Sequence, residues 1–301
     1  MTYTSQASLG PEFTPKIIKN LIMMTCIASI GSALLDIFIT AVFNIPGPLS
    51  YLSLSWFGLN KLFLWQPLTY FFVYGVTGYG IGLSWLLGLA INMYILWVMG
   101  TNILERVGER PFLRFYLISG VLSGLVATFM MPITGSNVIL TGAAPCILAI
   151  LVSWVMLNPN SSLLLFFVLP IKSRWLVVGV ISAIFLINLS TFDFIHLFFY
   201  MTGVATGYIY SVAAWNLRSP FPSTHEFDRT LAAYGDRIYS FFKSPGKGSG
   251  KIFDIKTGKS IDDENRFMDR MLEKISKYGK DSLTWREKLR MNRISKKRNK
   301  R

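Results

Sequence analysis

Phe194-Ile195-His196-Leu197-Phe198-Phe199-Tyr200-Met201-Thr202-Gly203-Val204-Ala205-Thr206-Gly207 opens a run without a single charge that continues to Trp215. A helix needs about 20 apolar residues to cross a hydrocarbon layer, and this run is long enough. Gly203 and Gly207 stand four apart, the spacing that lets membrane helices approach closely. His196 is costly in such a place and is expected to face the interior of a bundle. Runs of similar character fall at 20–43, 81–100, 113–131, 138–157 and 175–190. Six membrane helices are therefore expected.

The rest of the composition agrees. The 301 residues are 52% hydrophobic, with a mean hydropathy of +0.44. Charge is segregated: residues 1–215 hold 8 Lys/Arg against 5 Asp/Glu, and residues 216–301 hold 22 against 11. This predicts a membrane body with a basic soluble tail. Anionic lipid headgroups account for such a tail next to a membrane, each basic residue contributing about 1 kcal/mol near the surface, and no nucleic acid is expected. Cys26 and Cys146 lie in apolar stretches and read as small hydrophobes, with neither a disulfide framework nor metal spacing. With His196 and His225 as the only histidines, a histidine-rich metal site is excluded, and neither metal nor cofactor is expected.

The residues after Lys16 and Lys19 form a retained first helix in this reading, not a cleaved signal. Residues 45–80 are apolar but broken by Pro46, Pro48, Pro67, Gly75, Gly78 and Gly80. They are expected as short interfacial pieces, with Trp56, Trp65, Tyr70 and Tyr74 at headgroup level. Residues 163–170 read the same way. Basic clusters at Lys16/Lys19, at Arg106/Arg110/Arg114, at Lys172/Arg174 and in the tail alternate with segments holding only Lys61, no charge, and Asp193. All clusters then fall on one side, which predicts cytoplasmic termini.

Several motifs in this order resemble the rhomboid intramembrane proteases. They are Trp65-Gln66-Pro67-Leu68-Thr69-Tyr70-Phe71; Asn92-Met93 with Trp97, Gly100 and Leu104-Glu105; Phe112-Leu113 with Tyr116 and Ser119-Gly120; Asn158-Pro159 with Leu165-Phe166 and Pro170-Ile171-Lys172; and His196-Leu197 with Gly203 and Gly207. The resemblance covers about residues 60–212. It implies an all-α integral membrane protein, a six-helix bundle followed by a basic cytoplasmic tail, and placement in a bacterial inner membrane with both termini cytoplasmic. The expected divisions are a cytoplasmic N-terminus (1–19), the membrane domain (20–215), a linker (216–260) and a basic helical module (261–301).

The family's chemistry, as the resemblance implies it, needs a serine nucleophile on the fourth helix and a histidine base on the sixth. An asparagine and a histidine on the second helix stabilise the oxyanion. Laying the family's Gly-Ala-Ser-Gly-Ala on Gly142-Ala143-Ala144-Pro145-Cys146 puts Ala144 at the serine. His196 matches the base and Asn92 the asparagine, whereas Gly88 stands at the second-helix histidine. Tyr74 replaces another histidine often found near the interfacial segment. A hydroxyl or thiol is needed for nucleophilic attack, and Ala144 has neither. Cys146, two positions on, lies about 200° around the helix. Thr141 falls at the helix entry. Pro145 removes a backbone N–H beside the reacting centre. Phe199 is expected to fill the volume around Ala144, and Asp36 in the first helix needs a partner.

The expected function is that of a pseudoprotease, binding transmembrane helices of client proteins without cleaving them. The alternatives are an active endopeptidase of the family with another nucleophile and a membrane scaffold whose tail recruits a cytoplasmic partner. Expected partners are thus membrane lipids, client transmembrane segments and a cytoplasmic protein bound through 261–301. In that tail Phe267, Met271, Leu272, Ile275 and Tyr278 recur at helical spacing, and Gly279 supplies a stop. Thr284-Trp285-Arg286-Glu287 fits a capping box opening a further helix. The run from Asp269 to Thr284 resembles a helical module that follows some bacterial rhomboid domains.

Overall fold

The computed structural model describes residues 11, 13–75, 80–165, 169–242, 261–279, 283, 287, 291 and 295. It divides into two compact units, Met1–Arg237 and Ile238–Arg301. The first is an all-α membrane bundle. Helix α1 spans Lys16–Phe43, and its buried residues include Ile18, Leu21, Thr25, Ser29, Ser32 and Asp36. These recur every three or four positions and are partly polar, while Met24, Ile27, Leu34 and Phe38 point outward. A helix that hides its small and polar face and shows its apolar one is built for hydrocarbon.

Short helices α2 (Pro48–Leu52), α3 (Trp56–Asn60) and α4 (Gln66–Thr69) follow, then a 3₁₀ turn, Tyr70–Phe72. Trp65 is half exposed. Tyr70 is a correction: it is fully buried. Its hydroxyl donates to the Gly120 carbonyl at 2.5 Å, and burial pushes its phenol well above the usual value, so it stays a neutral donor. The cause lies on the later helix Glu109–Thr134, where Gly120 and Gly124 leave room for the Phe71 and Tyr70 rings.

Helices α5 (Leu83–Ile95) and α6 (Thr101–Val107) are joined through a π-helical turn, Leu96–Gly100, and the three make one span. Gly108, at φ +87, turns the chain into α7, Glu109–Thr134. Helix α8, Ala144–Leu157, is short and apolar, and every residue from Pro145 to Met156 is buried. Apolar on all sides, it occupies the centre of the bundle. The span expected over 138–157 is helical only here, because Leu140 pairs with Leu54 and Gly142 adopts φ +94. Helices α9 (Ser173–Ser190) and α10 (Phe194–Trp215) complete the set. Among the described residues, five spans have the length and apolarity to cross a membrane: α1, α5 through α6, α7, α9 and α10. Between α8 and α9 the interfacial piece expected over 163–170 is instead a hairpin, Ser162–Leu165 antiparallel to Leu169–Lys172; pairing satisfies the backbone groups that a lone extended piece would leave open.

Helices α8 and α10 run parallel along one seam. A Cβ on Gly203 would lie 2.5 Å from the Pro145 carbonyl oxygen, and one on Gly207 would lie 2.7 Å from the Ala149 Cα. One turn further, Ser211 donates to Ser153 at 2.7 Å and Ser153 to the Gly207 carbonyl at 3.3 Å.

Helix α11 (His225–Phe242) begins in the first unit and folds back on α10, so that Gly235 meets the Ala213 backbone. Buried Asp228 holds this return: it accepts from the Tyr208 hydroxyl and from the Ser219 N–H at 2.9 Å. Hydrogen bonds to a charged group are worth about 1.5–3 kcal/mol each. Asp228→Ala is therefore expected to release α11 and raise tryptic cleavage after Arg218 by roughly tenfold or more at unchanged bundle stability.

In the second unit, α12 spans Ile261–Tyr278 and ends at Gly279, φ +80, whose N–H donates to the Ile275 carbonyl at 2.9 Å. Met271 and Leu283 are buried in that unit and Leu272 is exposed. Lys274 pairs with Glu287 at 3.0 Å. Thr284, Trp285 and Arg286 of the expected capping box lie outside the described residues.

Candidate functional site

Three stretches converge near the start of α8: the segment Tyr70–Gly75, the first turns of α5, and the turn Gly142–Ala144. Gly142 needs its positive φ here, a conformation that costs other residues a Cβ clash. Its N–H donates to the carbonyls of Tyr70 at 3.0 Å and Val73 at 2.8 Å, stitching the interfacial segment to the entry of α8. Ala144 is the first helical residue and Pro145 the second. Proline is tolerated at that point because the missing N–H has no intrahelical partner. The same absence removes one donor from the free N–H groups at a helix start, which are the groups that could meet a developing oxyanion.

Ala144 is half-buried and presents only a methyl group. The two neighbouring heteroatoms are turned elsewhere. Thr141 donates its hydroxyl to the Gly75 carbonyl at 2.6 Å. The Cys146 sulfur packs at Gly120 on α7, 3.0 Å from where a Cβ there would stand, whereas its neighbour Pro145 faces α10.

His196 sits in the first turn of α10. Its Nδ1 is 2.7 Å from Asp193 Oδ2, and its backbone N–H donates to Asp193 Oδ1 at 3.1 Å. Asp193 is thus both N-cap and orienter, leaving Nε2 as the ring's other face for proton transfer. Among the described residues Asp193 is the imidazole's hydrogen-bond partner; no hydroxyl or thiol stands within that reach. Asp193 was not singled out in the sequence as a site residue, although an aspartate three positions before a histidine at a helix start is a local signal. Asn92, on α5, is half-buried and makes no side-chain hydrogen bond to another described residue.

Gly88 has a specific neighbour. A side chain there would overlap the hydroxyl of Tyr74, and the same tyrosine ring lies 3.0 Å from where a Cβ on Gly142 would be. Tyr74 is fixed from both sides by backbone hydrogen bonds: its N–H donates to Ser29 Oγ at 3.0 Å, and its carbonyl accepts from Trp85 Nε1 at 2.9 Å. Thus a large residue at 74 fills the volume that a missing side chain leaves at 88. Phe199 also turns into the bundle, its ring 5.8 Å from Tyr70 and 6.4 Å from His196, edge-on to the latter; Phe198 faces outward. No three His, Cys, Asp or Glu side chains come together as a metal site among the described residues.

A polytopic bundle whose last described span carries an aspartate-held histidine and packs along a short central helix entered through Gly142 defines a class of membrane protein. The rhomboid domain family matches residues 63–216, just over half of the chain, and the chain belongs to the rhomboid family. It is similar to the presenilin-associated rhomboid-like protein, mitochondrial, of Rattus norvegicus, at 33% identity over 83 residues, 28% of this chain. That match spans 22% of the rat protein's length.

Proposed function

We propose that this chain is a rhomboid-family pseudoprotease that holds transmembrane helices of client proteins in the bilayer without hydrolysing them. The observation that carries this reading is the pair at the second helix: Tyr74 occupies the space at Gly88, beside a helix entry that offers the methyl of Ala144. Attack on a carbonyl needs an activated nucleophile and a place for the oxyanion. Both are impaired at once. His196 keeps its orienting carboxylate, which serves helix capping as well as it would serve a base.

Client binding draws support from α9. Of its residues Ser173 and Val177 are buried, and Trp175, Val180, Phe185 and Leu186 are open to lipid. A loosely attached helix beside a well-packed core offers a lateral way in. The basic clusters on one side of the bundle favour cytoplasmic termini.

The test uses the full chain in lipid nanodiscs with a model substrate whose transmembrane helix is weakened by Gly and Pro. Photo-crosslinking from positions 91 and 180, on α5 and α9, together with no cleavage and no labelling by a fluorophosphonate, is the expected result. Cleavage that His196→Ala abolishes would establish a protease instead. Neither crosslink nor cleavage would leave the scaffold reading. Orientation is checked separately by an impermeant thiol reagent on single cysteines placed at Ser5 and Ser295, which should label from the cytoplasmic side alone.

A further inference from the structure

A groove of about 440 Å³ lies among α8, α9 and α10, closed at one end by the chain that returns from α10 to α11. Val155, Ile181, Val204 and Ala205 line its length, with Arg174 and Phe221 at the closed end. Val178 and Ile209, also on its walls, are open to the outside. The groove therefore faces hydrocarbon along its side and the basic end of the bundle at its tip.

Its polar groups can be counted off. The Tyr208 hydroxyl and the Ser219 N–H are both committed to Asp228. Arg174 is different: its Nε is buried and donates no hydrogen bond among the described residues, and no carboxylate pairs with it there. A buried N–H without an acceptor is costly, and the Trp175 ring beneath the guanidinium supplies none. The positive end of the α9 dipole, starting at Ser173, adds to the same field. What would satisfy this place is an anion joined to a hydrocarbon chain.

We infer that the groove binds one anionic phospholipid, its phosphate on Arg174 and an acyl chain laid between α9 and α10 against Val204 and Ala205. A client helix fits less well. With side chains a helix is about 10–12 Å wide and rises 5.4 Å per turn, so the groove has room for roughly one turn. A zwitterionic lipid brings its own cation to the phosphate and so offsets less of the arginine's charge. The planar fork of arginine suits phosphate oxygens in a way that a lone ammonium does not.

The experiment is native mass spectrometry of the full chain after reconstitution with phosphatidylglycerol or with phosphatidylcholine and extraction into detergent. The chain should keep one phosphatidylglycerol under conditions that strip phosphatidylcholine. Arg174→Gln should lower the retained fraction by about tenfold, with Arg174→Lys between the two. Ala205→Phe, which fills the groove and leaves the charge, should lower it as far. Elution of the variants as monodisperse, helical protein confirms that the bundle is intact. Equal retention of the two lipids overturns the inference, as does retention unchanged in Ala205→Phe, since both describe annular lipid only. A transmembrane peptide displacing the lipid from the same residues would overturn it too.

Discussion

Gly203→Leu is expected to leave no folded bundle, whereas Gly179→Ala should be neutral or slightly stabilising. Both replace a glycine in a membrane helix, and the difference is what stands opposite. The new Cβ at 203 would meet the Pro145 carbonyl oxygen at 2.5 Å and its Cα at 2.8 Å, while at 179 nothing lies within 4 Å. Backbone cannot step aside as a side-chain tip can. The clash would part α8 from α10 and break the Ser211–Ser153–Gly207 chain of hydrogen bonds one turn away. Overpacking usually costs ~1–3 kcal/mol; parting two backbones and a hydrogen-bonded seam should exceed ~4 kcal/mol. At Gly179 the change removes glycine's conformational cost of roughly 0.5–1 kcal/mol. Thermal unfolding in detergent, followed by tryptophan fluorescence, distinguishes the two. A Gly203→Leu protein melting within a few degrees of the parent would refute the close seam.

The second large effect is a compensation. Gly88→His alone should be strongly destabilising, because the Tyr74 hydroxyl holds that space. Tyr74→Ala alone should cost up to about 3 kcal/mol as a partly buried aromatic lost. Together they should cost less than their sum by about 2 kcal/mol or more, the coupling expected of residues in contact. Additive losses would mean that the two positions do not share a volume. The same pair governs any attempt to restore chemistry. Ala144→Ser by itself should stay inert to a fluorophosphonate. Adding Gly88→His and Tyr74→Ala should raise labelling by ~10²–10³, the usual worth of one oxyanion donor.

Helix periodicity and apolar length made the spans legible, since crossing a bilayer leaves few other options. What stayed hidden was whatever depended on a distant residue. Tyr70 reads as an interfacial aromatic until the gap at Gly120 and Gly124 is known. The late start of α8 at Ala144 follows from a backbone pairing between Leu54 and Leu140, which no local pattern announces. The hairpin at 162–172 hides for the same reason, its partner strand being a matter of register. At the site, the motifs alone predict vacancies at Ala144 and Gly88. That Tyr74 fills one of them could not, although a large residue at 74 and a small one at 88 are complementary changes. Asp193 was within reach of sequence reasoning, being three residues from His196 at a helix start.

Helix α8 has 14 residues, which at 1.5 Å per residue measures about 21 Å. The hydrocarbon layer is ~30 Å deep, so with its Leu157 carbonyl bonded to Arg106 at the basic face, a helix of this size falls short of the opposite headgroup plane. Tilting cannot make up the difference for a rod gripped on every side, and moisture must reach inward at its Ala144 tip. A foreign segment drawn up to the Thr141 end would trade dry surroundings for wet ones. Segments with unpaired backbone groups gain most by that exchange, because oil leaves such groups unsatisfied. Preference for frail helices over sturdy ones would then arise from a length mismatch, with no side chain reading the guest's sequence.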